Sequence, residues 1–356
     1  EPRVERSIPM TVSRKSFVLG ATALSATALI TACGSRSSES AGSGETISIE
    51  HAFGTTEVPA EVSRVATIGW AANQDALLTL GIMPVGFEKQ TWGVEDGSGM
   101  LPWTKSKVDE LVAAGAEQPT LFDATDGVDF EAVNSSAPDV ILATYSGLDQ
   151  EQYDKLAKIA PTVAYPELAW GTPWRDTITI NTTAVGKKDE GESLVKDLEG
   201  TIAAEVAKYP KLAGKRAAFF FQSETDASTI GFYTTSDPRT AFLTDLGLAT
   251  PDSVSKVSEE QKAKGAENSF FYNISSENVD EVKDVELMVM YGTEDKLATY
   301  QADPLIGTIP AVKNGAIAFV GNADALSASA SPTALSIPWG IDKYVARIGA
   351  AADKVQ

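Results

Sequence analysis

The chain has 356 residues and a formal net charge of −20, with 43% hydrophobic and 22% charged residues. These proportions are typical of a soluble globular protein rather than a disordered or membrane-spanning one, and the length is sufficient for two domains of ordinary size. The acidic surface that this charge implies repels nucleic acid and anionic lipid, so we expect neither as a partner.

Residues that commonly catalyse reactions or bind metals are scarce. His51 is the only histidine and Cys33 the only cysteine. A zinc or manganese receptor needs several imidazole ligands, and a Ser-His-Asp hydrolase needs a histidine near a strand end. We therefore expect no metal centre, no catalytic triad and no cofactor, and a fold that is stable without disulfide bonds.

The first part of the chain has the pattern of a secretory signal. Arg14 and Lys15 precede a run over residues 17–30 that is apolar or small almost throughout. The run is too short for a membrane-spanning helix of about 20 residues and ends in small residues, as signal peptides do. Leu29-Ile30-Thr31-Ala32-Cys33 resembles the bacterial lipobox, which implies cleavage before Cys33 and attachment of diacylglycerol to its thiol.

Lipidation would anchor the protein to the outer face of the cytoplasmic membrane, after export by the general secretory or the twin-arginine route. We expect residues 1–32 to comprise upstream residues and a lipoprotein signal peptide. Residues 33–45 include the serine- and glycine-rich stretch 35–44 and have the composition of a lipidated flexible tether.

After the tether, short β-branched or apolar runs alternate with segments of helical spacing, which favours parallel sheets covered by helices. The predicted strands, in chain order, are 64–69, 85–87, 140–143, 162–165, 217–221, 285–291 and 316–320. The predicted helices are 74–78, 153–159, 189–209 and 338–348. In the longest helix, branched apolar residues recur at four-residue intervals from Leu194 to Val206, and Pro210 ends the segment.

This alternation predicts an α/β protein of two lobes with mainly parallel sheets, joined by a long interlobe helix, with a ligand cleft between the lobes. The N-terminal lobe is expected over residues 46–188 and the interlobe helix over 189–210. The C-terminal lobe is expected over residues 211–356.

Aromatic side chains are concentrated where the predicted strands end and in the loops nearby. Ligands of open parallel sheets bind beyond the carboxyl ends of the strands. Such ends carry Trp70, Tyr145, Tyr165 and Tyr291, and the other tryptophans lie in predicted loops or helix starts: Trp92, Trp103, Trp170, Trp174 and Trp339. Any one ring is equally consistent with packing in a core, but the set indicates a roomy, aromatic-lined binding cleft rather than a catalytic site.

Arginine is scarce after the signal segment, and only Arg175 and Arg239 are expected near the cleft. Two guanidinium groups can hold carboxylate or hydroxamate oxygens by paired hydrogen bonds. Two guanidinium groups offer little positive charge to balance a ferric catecholate, which carries three negative charges. A neutral or weakly charged ferric hydroxamate fits better, since aromatic faces also attract residual positive charge.

An ordered set of segments resembles class III substrate-binding proteins of ABC importers, and the ferric-siderophore branch most closely. The segments are 62–68, 75–86, 130–133, 137–142, 153–163, 237–239, 243–248 and 335–342. The resemblance implies two lobes bridged by a helix that flexes little, and a ferric siderophore bound in the cleft without chemistry. It also implies delivery of the siderophore to an ABC transporter permease, and we expect the receptor to be a monomer.

The resemblance also implies individual site residues. Arg239 and Trp339 match positions near the ligand in siderophore receptors, and Trp70 has the equivalent place at the end of the first strand. The remaining candidates for ligand binding are Trp92, Tyr145, Trp170, Arg175, Tyr233 and Tyr291.

Docking to the permease is implied through one acidic residue at the tip of each lobe, and the matching positions are Glu131 and Glu277. Carboxylates at these positions can pair with permease arginines. Both glutamates also fit the first turn of a helix, where the helix dipole favours an acidic side chain, so a purely local role stays open.

Two other functions stay open. Haem or vitamin B12 is an alternative cargo for the same fold, although His51 is the only imidazole available as a haem ligand. A secreted carboxylate-dependent hydrolase would use the densest acidic cluster, which consists of Asp123, Asp126, Asp129 and Glu131. The cluster departs from the calcium-loop pattern because Thr125 stands where an acidic ligand is required, and a polar turn that caps a helix is the simpler interpretation.

Overall fold

A two-stranded antiparallel hairpin, β1 (Thr46–His51) and β2 (Gly54–Pro59), precedes the first large sheet. The computed structural model describes residues 44–222, 228–265 and 269–356. The predicted signal peptide, Cys33 and all but the last two residues of the predicted tether therefore lie outside the described residues. The sequence did not predict the hairpin, because alternate residues of β1 are polar and exposed and give no continuous apolar run.

The first lobe contains a five-stranded sheet that is parallel throughout, with spatial order β5-β4-β3-β6-β7. Its strands are β3 (Val65–Thr67), β4 (Gly86–Glu88), β5 (Thr120–Phe122), β6 (Val140–Ala143) and β7 (Thr162–Ala164). Its helices are α1 (Ala72–Thr79), α2 (Pro102–Ala113), α3 (Phe130–Ser135), α4 (Gln150–Leu156) and α5 (Trp174–Ala184). Val140 and Leu142 of β6 pack in one hydrophobic cluster, and Ile141 and Ala143 in another. The strand is thus buried on both faces, which explains its continuous apolar sequence.

The second lobe also contains five strands, with spatial order β10-β9-β8-β11-β12. They are β8 (Ala217–Phe221), β9 (Thr229–Tyr233), β10 (Phe271–Ser275), β11 (Leu287–Met290) and β12 (Ile317–Phe319). The strands β8, β11 and β12 are parallel, whereas β9 pairs antiparallel with both β8 and β10. The prediction of two lobes with mainly parallel sheets is confirmed, and the antiparallel edge is a feature that the sequence did not predict.

The long helix α6 (Lys188–Val206) connects the two lobes, close to the predicted span. Its apolar stripe, which includes Leu198 and Ile202, packs in one cluster with Trp174 and Ile178 of α5 and with Phe219 of β8. This cluster therefore joins the connecting helices to the second sheet.

The last part of the chain contacts both lobes. Its helices are α7 (Pro238–Asp245), α8 (Asp252–Ala263), α9 (Leu297–Ala302), α10 (Pro310–Lys313), α11 (Ala325–Ala328) and α12 (Ser336–Ala352). Ala325 and Ala328 of α11 pack with Leu101 and Trp103 of the first lobe. The segment around α11 therefore packs on the first lobe, although the sequence-based boundary assigned all of residues 211–356 to the second.

Within the described part of the chain, no helix is both long and apolar enough to cross a membrane. The same residues contain no group of three or more His, Cys, Asp or Glu side chains arranged to hold a metal ion.

Candidate ligand-binding site

A cavity of about 300 Å³ lies where residues of the two lobes meet, and aromatic rings form most of its wall. The first lobe contributes Trp70 and Tyr145, which follow β3 and β6, and the second contributes Tyr233 at the end of β9. The described lining residues are Trp70, Trp92, Tyr145, Trp170, Tyr233, Arg239, Phe270 and Ser331. Strand ends thus supply the cavity, as expected for parallel sheets.

The turn after β3 places Trp70 and Tyr145 side by side. Gly69 has a φ of +103°, and a Cβ there would lie 2.4 Å from the carbonyl oxygen of Tyr145. The close approach allows the Trp70 N–H to donate to that same oxygen at 3.1 Å. Buried Asn73 bonds to both the N–H and the carbonyl of Tyr145, at 3.0 Å each. The two rings are therefore held by backbone hydrogen bonds rather than by ring contacts alone.

Trp170 is held in a strained backbone conformation against a glycine. Its φ is +59°, which is uncommon for a non-glycine residue, and its N–H donates to the Ser146 carbonyl at 2.9 Å. The indole lies directly on Gly147, where a Cβ would be 2.3 Å from Nε1. Trp170 also makes an edge-to-face contact with Tyr145, with a centroid distance of 5.7 Å. Strain of this kind is concentrated at functional sites.

Among the described residues that line the cavity, Arg239 is the one cationic side chain, and its guanidinium is fixed on three sides. It stacks over the Tyr233 ring at 3.5 Å, and donates to both Asp237 carboxylate oxygens at 2.7 and 2.8 Å and to the Tyr291 hydroxyl at 3.2 Å. Burial acts to lower the pKa of Arg239, but the adjacent Asp237 carboxylate outweighs this and the pKa is raised well above its usual value. Asp237 is fully buried, so the cation and its counterion form one neutral unit.

The three tyrosines around Arg239 remain neutral phenols. Burial raises the pKa of Tyr145, Tyr233 and Tyr291 above the ordinary value for tyrosine. The hydroxyl groups of Tyr145 and Tyr233, which line the cavity, can therefore donate hydrogen bonds to ligand oxygens.

Two more polar regions adjoin the aromatic cavity, one larger than it and one smaller. One of about 470 Å³ shares Trp70, Trp92 and Trp170 with it, and one of about 180 Å³ shares Trp170. Both include Glu88 at the end of β4, whose Oε2 accepts a hydrogen bond of 2.8 Å from the Gly69 N–H. Burial raises the pKa of Glu88 to about 7.

A separate cavity of about 480 Å³ is formed by residues 166–176 and 235–262, and no aromatic side chain is among its described lining residues. Glu167, Asp176, Glu259 and Lys262 supply charge to its wall. The aromatic cavity contains residues that the sequence singled out for ligand binding, whereas the described lining of this one contains none of them.

Of the nine residues predicted to bind ligand, six line the aromatic cavity and three do not. Tyr291 is enclosed beside Arg239, and its hydroxyl accepts a hydrogen bond from that side chain, so it positions the arginine. Trp339 packs against Trp103, at a centroid distance of 4.9 Å. The six lining residues are Trp70, Trp92, Tyr145, Trp170, Tyr233 and Arg239.

The structure does not place Arg175 at the cavity, contrary to the prediction. Its Nε donates to Glu199 at 2.6 Å, and its NH1 donates to Asp245 at 2.9 Å. The guanidinium also lies 4.4 Å from the Trp174 ring. Arg175 is therefore committed to the junction of α5, α6 and α7.

Sequence reasoning missed Glu88, Phe270 and Ser331. Phe270 and Ser331 lie in segments that carry no periodic pattern, so only the fold could place them. The sequence did offer a signal for Glu88, because it follows a strand predicted over residues 85–87.

The two predicted docking residues are exposed, one on each lobe. Glu131 lies in the first turn of α3, and Glu277 in the first turn of a 3₁₀ helix over Ser276–Val282. In the acidic cluster, Asp129 caps α3 by accepting from the Ala132 N–H at 2.9 Å. Asp123 accepts from the N–H of Thr125 at 2.9 Å.

Comparisons with known proteins agree with this architecture. The family model described as periplasmic binding protein matches residues 85–323. The structure of Streptococcus pneumoniae PiaA in complex with ferrichrome is 42% identical, with a TM-score of 0.81, and the match covers 87% of this chain and 100% of that one.

Two Bacillus subtilis proteins are also similar. The probable siderophore-binding lipoprotein YfiY is 27% identical over 288 residues, which is 79% of this chain and 78% of that protein. The iron(3+)-hydroxamate-binding protein YxeB is 27% identical over 203 residues, which is 56% of each chain. Together with the family match over most of its length, these similarities establish that the chain belongs to the periplasmic binding protein family.

Proposed function

We propose that this protein is an extracytoplasmic receptor that binds a ferric siderophore of the hydroxamate type and delivers it to an ABC importer permease. Lipidated Cys33 would hold it at the outer face of the cytoplasmic membrane, and it would act as a monomer. The observation that carries the proposal is an aromatic cavity in which the one arginine among the described lining residues is already neutralised by Asp237. The names of PiaA, YfiY and YxeB support the same class of ligand.

The charge of the cavity favours a hydroxamate over a catecholate. A ferric trihydroxamate is neutral at its iron centre, whereas a ferric tris-catecholate carries three negative charges that need several unpaired cations. In the described lining of the aromatic cavity, Arg239 is the one cationic side chain, and it is paired with Asp237. The surrounding rings provide apolar surface, and the phenols and the guanidinium provide donors for hydroxamate oxygens.

Haem is disfavoured by the residues that would hold its iron. His51 lies in the hairpin, where it is buried and its Nε2 shares a hydrogen bond of 2.8 Å with Thr56. The cavity tyrosines have raised pKa values, and this opposes the tyrosinate form that ligates haem iron.

A hydrolase is disfavoured because the acidic cluster already has local roles. Asp129 caps a helix and Asp123 closes a turn with Thr125. Neither carboxylate needs a catalytic role to explain its position, and we propose that the protein performs no chemistry on its ligand.

The proposal is tested by titrating the intrinsic tryptophan fluorescence of the protein with five ligands: ferrichrome, ferrioxamine B, a ferric catecholate, haem and cobalamin. We expect saturable quenching by the two hydroxamates at sub-micromolar concentration, because three tryptophans line the cavity. A response confined to the catecholate, haem or cobalamin would contradict the proposed ligand. Silence from all five would contradict the receptor function.

A further inference from the structure

The aromatic cavity adjoins two polar cavities of the first lobe, and Glu88 lines both of them. The two polar cavities share Glu88, Gly69 and Trp170, and the larger one also includes Trp70 and Trp92. Because Trp70, Trp92 and Trp170 line both the aromatic cavity and the larger polar one, a ligand held between these tryptophans lies next to the space that Glu88 lines.

Two carboxylates are among the described residues that line the polar cavities, and Glu88 is the one whose charge is not offset by a neighbouring cation. No ion pair among residues 44–222, 228–265 and 269–356 includes it within 4.0 Å, and its hydrogen bond comes from the neutral Gly69 N–H. Asp123 differs, because Thr125 bonds to its carboxylate and the positive charge of Lys89 helps to lower its pKa. When it is ionised, Glu88 therefore gives the described lining of the two polar cavities an excess of negative charge.

A bound cation would stabilise the ionised form of the Glu88 carboxylate. Burial raises the pKa of Glu88 to about 7, so at neutral pH the charged form is disfavoured by desolvation. A positive group within hydrogen-bond distance favours the ionised form. The faces of the neighbouring tryptophans attract the same kind of group.

We infer that Glu88 recognises a positively charged arm, such as a primary ammonium, on a ferric hydroxamate, so that complexes with such an arm are preferred over otherwise identical neutral ones. This inference rests on the proposed function and names a subclass of its ligand. It assigns Glu88 a role in specificity, distinct from the aromatic wall that holds the iron complex itself.

The experiment uses two ligands that share one iron centre: ferrioxamine B, whose chain ends in an ammonium group, and its N-acetylated derivative, which is neutral. We expect the wild-type protein to bind ferrioxamine B several-fold more tightly at about pH 8, and the preference to shrink at about pH 5.5, where Glu88 is protonated. The other titratable groups in the described lining of the two polar cavities are Asp123 and Lys89. The variant Asp123→Asn is the control for the charge of Asp123.

Two variants separate Glu88 from its surroundings. Glu88→Gln retains an acceptor for the Gly69 N–H, and we expect it to lose the preference while it binds the acetylated complex as the wild type does. Asp123→Asn should keep the preference. Equal affinity of the wild type for both complexes, or a preference that survives in Glu88→Gln, would overturn the inference and leave the proposed function intact. Failure of the wild type to bind either complex would overturn the inference, and it would overturn the proposed function as well if ferrichrome also failed to bind.

Discussion

The carboxylate of Asp75 in α1 accepts a hydrogen bond of 2.6 Å from the hydroxyl of Thr333, a residue 258 positions later in the chain. It also accepts from the Trp103 indole at 2.8 Å and from the Thr104 hydroxyl at 2.7 Å. Asp75 is fully buried. One carboxylate thus ties the first lobe to the returning C-terminal segment, two residues after Ser331, which lines the cavity.

The Asp75 carboxylate should make stability depend on pH. Burial raises its pKa to about 7, against the lowering effect of its three hydrogen bonds, while in the unfolded chain the pKa returns to about 4. Between these two pKa values the folded protein binds more protons than the unfolded one. The contribution of Asp75 to the free energy of unfolding therefore decreases as the pH rises from about 4 to 7, and it does not change at higher pH.

The pH effect is measured by urea unfolding of the wild type and of Asp75→Asn at several pH values. We expect the variant to be less stable, because its amide N–H₂ group would face donors whose hydrogen bonds the carboxylate accepts in the wild type. The gap between the two proteins should narrow as pH rises through this window. A gap that widens with pH would contradict the raised pKa of Asp75.

Arg239 should matter for both stability and binding. Arg239→Ala leaves the carboxylate of Asp237 buried without its cation, and loss of one partner of a buried pair costs about 3–5 kcal/mol. The affinity for a ferric hydroxamate should also fall several-fold, because a cavity donor is removed. Arg216→Ala is the matched control: Arg216 pairs with Glu286 at the surface, and such pairs contribute about 0–1 kcal/mol. An unchanged dissociation constant in Arg239→Ala would show that Arg239 does not contribute to ligand binding.

Gly147→Ala should weaken ligand binding by moving an aromatic ring. A methyl group there would lie 2.3 Å from Nε1 of Trp170, so the indole must shift into the cavity or away from it. Because Gly147 is exposed and the indole lines the cavity, we expect several-fold weaker binding in isothermal titration, with a small change in the free energy of unfolding. Wild-type affinity in this variant would mean that the position of Trp170 is unimportant for the ligand.

The sequence was sufficient where a strand is buried on both faces, and insufficient where a role depends on distant partners. The strands β6 and β8 were predicted at their observed bounds, because each is a continuous apolar run. Arg175 was misplaced because its partners Glu199 and Asp245 lie 24 and 70 residues away in the sequence. No local sequence pattern indicates that these two carboxylates pair with its guanidinium. The aromatic strand ends were informative because the topology of a parallel sheet brings such ends together.

Two glycines of α6 should respond to alanine in opposite ways. Gly200 is exposed and has open space where a Cβ would be, so Gly200→Ala should stabilise the protein by about 0.5–1 kcal/mol through helix propensity. At Gly191 a Cβ would lie 1.9 Å from Oγ1 of Thr182, which is bonded to the Ile178 carbonyl in α5. Gly191→Ala should therefore destabilise the protein, by about 1–3 kcal/mol for an overpacked site. Urea unfolding of both variants tests the packing of α5 on α6.

Docking to a permease should depend on Glu131 and Glu277 and not on acidic charge in general. Both carboxylates are exposed on separate lobes, outside the linings of the ligand cavities. In the double variant Glu131→Ala/Glu277→Ala, we expect unchanged siderophore affinity and loss of siderophore-dependent iron uptake by cells, because charge pairs with permease arginines are removed. The matched control is Glu151→Ala/Glu281→Ala, which removes two exposed glutamates from the same two lobes. Normal uptake in the first variant, or an equal loss in both, would contradict the docking assignment.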